Sequence, residues 1–247
     1  MPGIGPRIRV LFSCRAMTEL AVDIANRSVL NVAGIDFVAD LSGALFWEAQ
    51  GLLVVSDLHL EKGSSFAARG VLLPPYDTVV TLDRLAGVVA RHDPGMVIAL
   101  GDSFHDREAH GRLSGADRDT IAALQAGRDW IWISGNHDPA LPSTLGGVVA
   151  QEVAIGPIAF RHEPTGALGE IAGHLHPKAR VSTRGRSMER RCFACDGARA
   201  VMPAFGAFAG GLNIRDAAFA RIFQTLGFMA HVLGDNRLHM IAASRCS

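Results

Sequence analysis

Three apolar runs of strand length each break off in a polar cluster of the same kind. "GLLVVSD" covers residues 51–57, "GMVIALGD" 95–102 and "DWIWISGN" 129–136. Strands apolar on consecutive positions are covered on both faces, as in the middle of a parallel sheet. Between the first two, "DTVVTLDRLAGVVARH" (77–92) reads as a helix with Val79, Leu82, Leu85 and Val89 on one stripe and Asp77 as its N-cap. A shorter helix is expected at 116–126. Strand-helix-strand-helix-strand order commits the chain to an α/β fold with a substantially parallel sheet and right-handed crossovers.

The last third changes character. "VVAQEVAIG", "PIAFRHE", "EIAGHLH", "ARVSTR", "RRCFACD", "ARAVMPA", "FMAHVLG" and "RLHMIAA" read as short strands joined by turns, the last two around "GDN". A second sheet follows, and with no composition break to mark a linker the expectation is one domain over residues 17–247, two packed sheets with helices outside. The first sixteen residues have no clear periodicity and are expected to be a disordered leader, with Met17 an equally sensible start.

Composition excludes several classes. Lys and Arg together number 24, as do Asp and Glu, so the formal net charge is zero and any nucleic-acid binding must be local rather than a global attraction. The longest apolar candidate for a membrane span, residues 200–212, is broken by Pro203 and several glycines and is too short. Four scattered cysteines include one "CFAC" pair, without the second pair that a structural zinc site needs. With no signal peptide, the expectation is reduced thiols, a cytoplasmic protein and no membrane association.

The chemistry sits at the strand ends. The three runs end in Asp57 with His59, in Asp102 with Asp106, and in Asn136, His137 and Asp138. The later strands add His162, His174 and His176. Ligands in open α/β sheets bind outside the carboxyl ends of the strands, and adjacent strands bring such loops together. Residues two apart on a strand end face one side, so Asp57 with His59, and His174 with His176, can each approach one site. Oxygen and imidazole donors without cysteine suit Mn, Fe or Zn. Asp57, His59, Asp102, Asn136, His162, His174 and His176 suffice for two divalent ions with Asp102 shared. Two such ions activate water near neutral pH and neutralise charge developing on phosphate oxygens. His137 is then free to protonate the leaving oxygen, with a carboxylate to orient its ring.

In order, "SDLHLEKG", "GDSFHD", "GNHDP", "FRHEP" and "GHLHP" resemble the motifs of the calcineurin-like metallophosphoesterases across about residues 51–177. The longer strings "SDLHLEKGSSFAARG", "GHLHPKARV" and "PAFGAFAGGLN" resemble one branch of that family, the DNA-ligase-associated (PdeM-type) metallophosphoesterases. The resemblance implies a four-layer αββα sandwich. It also implies one ion held by Asp57, His59, Asp102 and His176, and another by Asp102, Asn136, His162 and His174. His137 matches the family's general acid. The family places a second Asp three positions after the bridging one, whereas Asp106 follows Asp102 by four, so Asp106 and Asp138 compete as the residue that orients His137. The branch implies Mn as the metal and phosphodiesterase or single-strand endonuclease activity. It further implies DNA repair alongside an ATP-dependent DNA ligase and a helicase.

One segment is compatible with DNA without the resemblance, although such a basic ribbon is more often a solvated hairpin. "KARVSTRGRSMERR" (178–191) carries Arg180, Arg184 and Arg186 among six cations against one Glu, directly after "GHLHP". Lys62 and Arg69, in the loop after the first strand, are candidate phosphate contacts. Phe66, Tyr76 and Phe104 are the nearest aromatic residues for base stacking. The competing expectations are a phosphomonoesterase or small-nucleotide phosphodiesterase using the same metal centre, and a binding module that keeps the fold without the chemistry. No ligand of the set is missing, which argues against the last.

Overall fold

In the computed structural model, which describes residues 28–71, 74, 76–183, 185–224 and 227–247, all three apolar runs are strands. They are β4 (Leu52–Val55), β5 (Met96–Leu100) and β6 (Asp129–Ile133), adjacent and parallel at the centre of one sheet. An antiparallel meander of β1 (Ser28–Val32), β2 (Ile35–Ala39) and β3 (Leu45–Trp47) extends this sheet on one side, and β7 (Val148–Ala150) adds in parallel on the other. The leader and the alternative start at Met17 lie outside the described residues.

The second sheet runs in the order β15-β14-β12-β13-β10-β9-β8. Its strands are β8 (Glu152–Ile155), β9 (Ile158–Arg161), β10 (Glu170–Ala172), β12 (Arg186–Cys195), β13 (Ala200–Val201), β14 (Met229–Leu233) and β15 (Leu238–Ala242). A further strand, β11 (Lys178–Thr183), lies off this path and pairs with β12 as a hairpin, with an isolated parallel bridge from Lys178 to Asn213. Most neighbours are antiparallel, but β9, β10 and β13 run parallel at the centre. The sequence places "VVAQEVAIG" among the second-sheet strands. The structure splits it, giving β7 to the first sheet and β8 to the second.

Strand alternation makes the layers. Leu53, Val55, Val97 and Ala99 face outward onto α2 (Asp77–His92) and onto α4 (Gly115–Gln125), which follows the one-turn α3 (Ala109–Arg112), packing with Leu82, Leu85, Val88, Val89, Ile121 and Leu124. Their neighbours Leu52, Val54, Ile98 and Leu100 face inward and meet Ile158, Phe160, Ile171 and Phe193 of the second sheet. On the far side Cys192, Ala194, Ala230 and Val232 pack against Phe219, Ile222 and Phe223 of α5 (Ala217–Phe223). Three apolar layers thus separate four structural ones in the order α, β, β, α. Each fully buried Leu, Ile or Phe contributes about 1.5–3 kcal/mol.

The stripe on α2 differs from the one expected. Val79 is 48% exposed, and Val88 takes its place in the core. The cap position is Tyr76, and Asp77 opens the helix as its first residue, where its carboxylate accepts a bond of 2.8 Å from the backbone N–H of Lys62. That bond ties α2 to the short helix α1 (Lys62–Ala67) beside the site.

Candidate metal centre

All seven expected ligands lie just beyond the carboxyl ends of parallel strands. Asp57 and His59 follow β4, Asp102 follows β5 and Asn136 follows β6. His162 follows β9, and His174 and His176 follow β10. Each sheet thus offers a parallel block that runs towards the same edge of the sandwich.

The reason that paired residues face one site is not strand alternation. The strands end at Val55 and Ala172, and Asp57, His59, Asp102, His174 and His176 all hold left-handed backbone, with φ of 52°, 46°, 45°, 69° and 47°. Such a conformation costs a non-glycine residue about 1–2 kcal/mol, and its concentration here marks a site that the fold over-determines. The surrounding backbone holds these turns. His59 N–H donates to Asp102 O at 2.9 Å, Phe205 N–H to Ser56 O at 2.7 Å, and Gly173 N–H to His162 O at 2.9 Å.

Two trios converge, each with donor atoms within 4.8 Å of one another: Asp57 with His59 and His176, and Asp102 with His162 and His174. In the first, His59 Nε2 lies 3.2 Å from His176 Nε2, which is 3.2 Å from Asp57 Oδ1. In the second, His162 donates Nδ1–H to Leu100 O at 2.9 Å, which leaves its Nε2 as a bare lone pair. That lone pair faces Asn136 Oδ1 at 2.9 Å, His174 Nδ1 at 3.2 Å and Asp102 Oδ1 at 3.4 Å. A proton on His174 satisfies at most one of these contacts, whereas a divalent cation satisfies all four atoms. A backbone carbonyl fixing the tautomer of an imidazole is also how metal-binding histidines are commonly held. The donor set therefore fits two ions with oxygen and nitrogen ligands, and Asn136 joins the second trio.

Electrostatics agree. Burial, reinforced by the neighbouring imidazoles of His176, His105 and His137, pushes His59 down to about 3, so it stays neutral and available to a cation. Burial and His162 likewise lower His174. For Asp57 burial works upward, but His176, His162 and His59 outweigh it and hold the carboxyl low. Asp102 is raised, chiefly by burial.

His137 stands beside both trios. Its Nδ1–H donates to the carbonyl of His105 at 2.9 Å, and its Nε2 lies 3.9 Å from Asp102 Oδ2. The ring is edge-on to His59 at 5.5 Å and its side chain is 42% exposed, open to an incoming substrate. This corrects the expectation that a carboxylate orients the ring. Asp138 is buried and accepts from Phe104 N–H at 3.0 Å and Gly135 N–H at 2.9 Å, stapling two loops. Burial and nearby Asp102 raise its carboxyl to about 6. Asp106 pairs with Arg112 Nη2 at 2.6 Å, and Arg112 continues to Ser64 at 2.9 Å. Partial burial pulls Asp106 upward, but Arg112 and Ser65 bring it down to about 2. Both carboxylates act through the backbone that carries the His105 carbonyl and the Asn136–His137 turn, not on the imidazole.

A family model for the calcineurin-like phosphoesterases matches residues 52–192, more than half the chain and all seven ligand positions. The chain belongs to the calcineurin-like phosphoesterase family. No match was found among the curated proteins. Among solved structures, a nuclease from Pseudomonas putida, MPE, is similar over 87% of this chain and 100% of its own, with 28% identity and a TM-score of 0.69.

The remaining candidates of this phosphoesterase fall in three places. Lys62 and Arg69 flank the site on and just after α1, but both have local work: Lys62 Nζ donates to Phe208 O at 2.9 Å, and Arg69 reaches Ser65 at 3.0 Å and stacks on Phe66 at 4.8 Å. Arg180 and Arg186 lie exposed on the β11–β12 hairpin, and Arg184 lies outside the described residues. The hairpin is less uniformly basic than its sequence, because Glu189 sits 3.8 Å from both Lys178 and Arg180 and Asp235 pairs with Arg190 at 3.0 Å. Phe104 is buried and unavailable for stacking. Sequence reading missed the role of His105, whose ring is stacked between His137 at 5.5 Å and Phe66 at 5.6 Å. It also missed Ser56, which hydrogen-bonds Asp57 Oδ2. Only its place beside Asp57 in "SDLH" hinted at that. Among the described residues no helix is long and apolar enough to cross a membrane.

Proposed function

We propose that this phosphoesterase is a metal-dependent phosphodiesterase that cleaves single-stranded DNA internally. Asp57, His59 and His176 would hold one divalent ion, and Asp102, Asn136, His162 and His174 the other. Manganese is the proposed metal on the branch resemblance, and the donor set of oxygen and imidazole nitrogen, which also suits Fe or Zn, is compatible with it. Ions held there supply the Lewis acidity that activates water near neutral pH and offsets charge on the phosphate oxygens. The chain's own contribution is proton handling and positioning. His137 presents Nε2 towards the scissile phosphate while its Nδ1–H stays fixed on the His105 carbonyl, so that the ring arrives in one orientation to protonate the leaving oxygen. The stack of Phe66 and His105 behind it prevents the ring from swinging away.

The observation that carries the reaction class is the convergence of acceptor atoms around His162 Nε2, next to a second histidine-carboxylate trio. The DNA reading is supported by the similarity to the Pseudomonas putida nuclease and by the exposed arginines of the hairpin that follows His176. A place in DNA repair, alongside an ATP-dependent ligase and a helicase, belongs to the same proposal, as does a cytoplasmic location. The test is nicking of circular single-stranded DNA by metal-stripped protein resupplied with Mn, beside bis(p-nitrophenyl) phosphate and a panel of nucleotides. Nicking that needs metal and His137 is the expected outcome. Hydrolysis of a nucleotide or phosphomonoester with intact circles overturns the DNA assignment and leaves the chemistry.

A further inference from the structure

Beyond the metal centre, a cavity of about 400 Å³ is lined by Arg84, Lys178, Arg190 and Arg191 with Glu189 as its one acid. Arg84 comes from α2 and Arg191 from β12. Neither has a carboxylate partner among the described residues. Arg84 Nη1 donates to Phe205 O at 2.6 Å, with its guanidinium 5.6 Å above the Phe205 ring. Arg191 donates to Ala204 O at 2.7 Å and Ser42 O at 3.5 Å. A guanidinium has five N–H donors, so each keeps most of its donors free. Glu189 is engaged with Lys178 and Arg180 on the hairpin, and Asp235 takes Arg190. Among the described residues no carboxylate therefore pairs with either of the two central cations to offset their repulsion. Burial first, and Arg84 second, bring Arg191 down to about 10. Half-buried like charges without a counter-ion are costly, and a guanidinium fork matches the oxygens of a phosphate.

The cavity is joined to the metal centre. Its lining includes Gly206, whose N–H donates to Asp57 O at 3.1 Å. Lys62, bonded to Phe208 in the same lining, is lowered first by burial and then by Lys178, and it adds to the burial that lowers His105. Positive groups thus continue from the imidazole stack to the arginine pair.

We propose that this cavity is a phosphate-binding site separate from the metal centre, in which Arg84 and Arg191 clasp a phosphate group and Lys178 shares its charge. It stands on the cavity's own geometry and holds whether or not the protein cuts DNA. Metal-loaded full-length protein is labelled with phenylglyoxal, and the rate at each arginine is read by peptide mass spectrometry. Inorganic phosphate at about ten times its Kd slows Arg84 and Arg191 roughly tenfold relative to chloride of equal ionic strength, and leaves exposed Arg118 unchanged. Equal rates at Arg84 and Arg191 in the two buffers overturn the site. Should neither arginine label in either buffer, melting decides: the phosphate-dependent rise in Tm shrinks in Arg84→Gln and in Arg191→Gln if the site exists, and is the same as in the unaltered protein if it does not. Oligothymidylate in place of phosphate separates the sources. Protection by the oligomer makes the ligand a strand phosphate, whereas protection by inorganic phosphate alone makes it a free one.

Discussion

Gly173 has no room for a side chain, because a Cβ there would overlap Ser56 Oγ and press on Asp57 Oδ2. Gly135 is in the same position against the carboxylate and backbone nitrogen of Asp102. The glycine that opens "GHLH" and the one that opens "GNHD" are therefore part of the ligand geometry. Gly173→Ala and Gly135→Ala are expected to weaken metal affinity about 10–100-fold, the scale on which supports of metal ligands act, as read by equilibrium dialysis with Mn. His137→Gln keeps the ion content and loses about 10²–10⁴ in kcat towards bis(p-nitrophenyl) phosphate. Full activity in that variant would remove the imidazole from the reaction. Asp138 separates two roles by the substitution chosen. Asp138→Ala leaves the N–H groups of Phe104 and Gly135 without their acceptor, costing about 1–3 kcal/mol for each in urea unfolding, whereas Asp138→Asn keeps an acceptor oxygen for one of the two and leaves only the other unsatisfied.

At the scale of elements, the hairpin of β11 and β12 is the part whose proposed role in DNA binding rests on charge. Arg180→Ala with Arg186→Ala is expected to weaken cleavage of single-stranded DNA and lower its salt slope by about one for each phosphate that the variant no longer neutralises. Hydrolysis of the small diester is spared, because neither side chain reaches the trios. Parallel loss of both activities would make the hairpin a structural support of the centre. The central strands were legible in the sequence because burial on both faces writes a continuous apolar run. Val79 was misassigned because a helical stripe covers several adjacent positions and tertiary packing chose Val88 over it. The splitting of residues 148–155 between two sheets was not legible, since pairing partners are distant in sequence. The ligand set was legible as residue types, but the left-handed turns that aim it were not. Nor was the His105 carbonyl that orients His137, because any residue supplies a carbonyl.

For the whole molecule, stability and metal loading are linked through proton uptake. Burial pushes His59 down to about 3 and His105 to about 4 in the folded chain, both below the ordinary histidine value of 6.5. The unfolded chain therefore binds protons below pH 6.5 that the folded one refuses, and stability present above that pH is lost as pH falls towards 4. Asp138, raised to about 6, works the other way: it favours the folded state at low pH and loses that contribution as pH rises through 6. With the lowered imidazoles of His59, His105, His174 and His231 against the raised carboxyls of Asp102 and Asp138, metal-stripped protein is expected to melt lower at pH 5 than at pH 7, and His105→Phe, which keeps the stack, to flatten that difference. A Tm independent of pH between 5 and 7 would contradict the neutral state of these rings. The central claim is that the two trios hold two divalent ions on which hydrolysis depends. Its most direct test is the number of Mn ions bound per chain, measured by equilibrium dialysis together with diesterase activity. Two ions per chain, with hydrolysis appearing as the pair fills and both lost in Asp102→Ala, is the result the account predicts. Fewer than one ion per chain, or hydrolysis that persists in excess chelator, would contradict it.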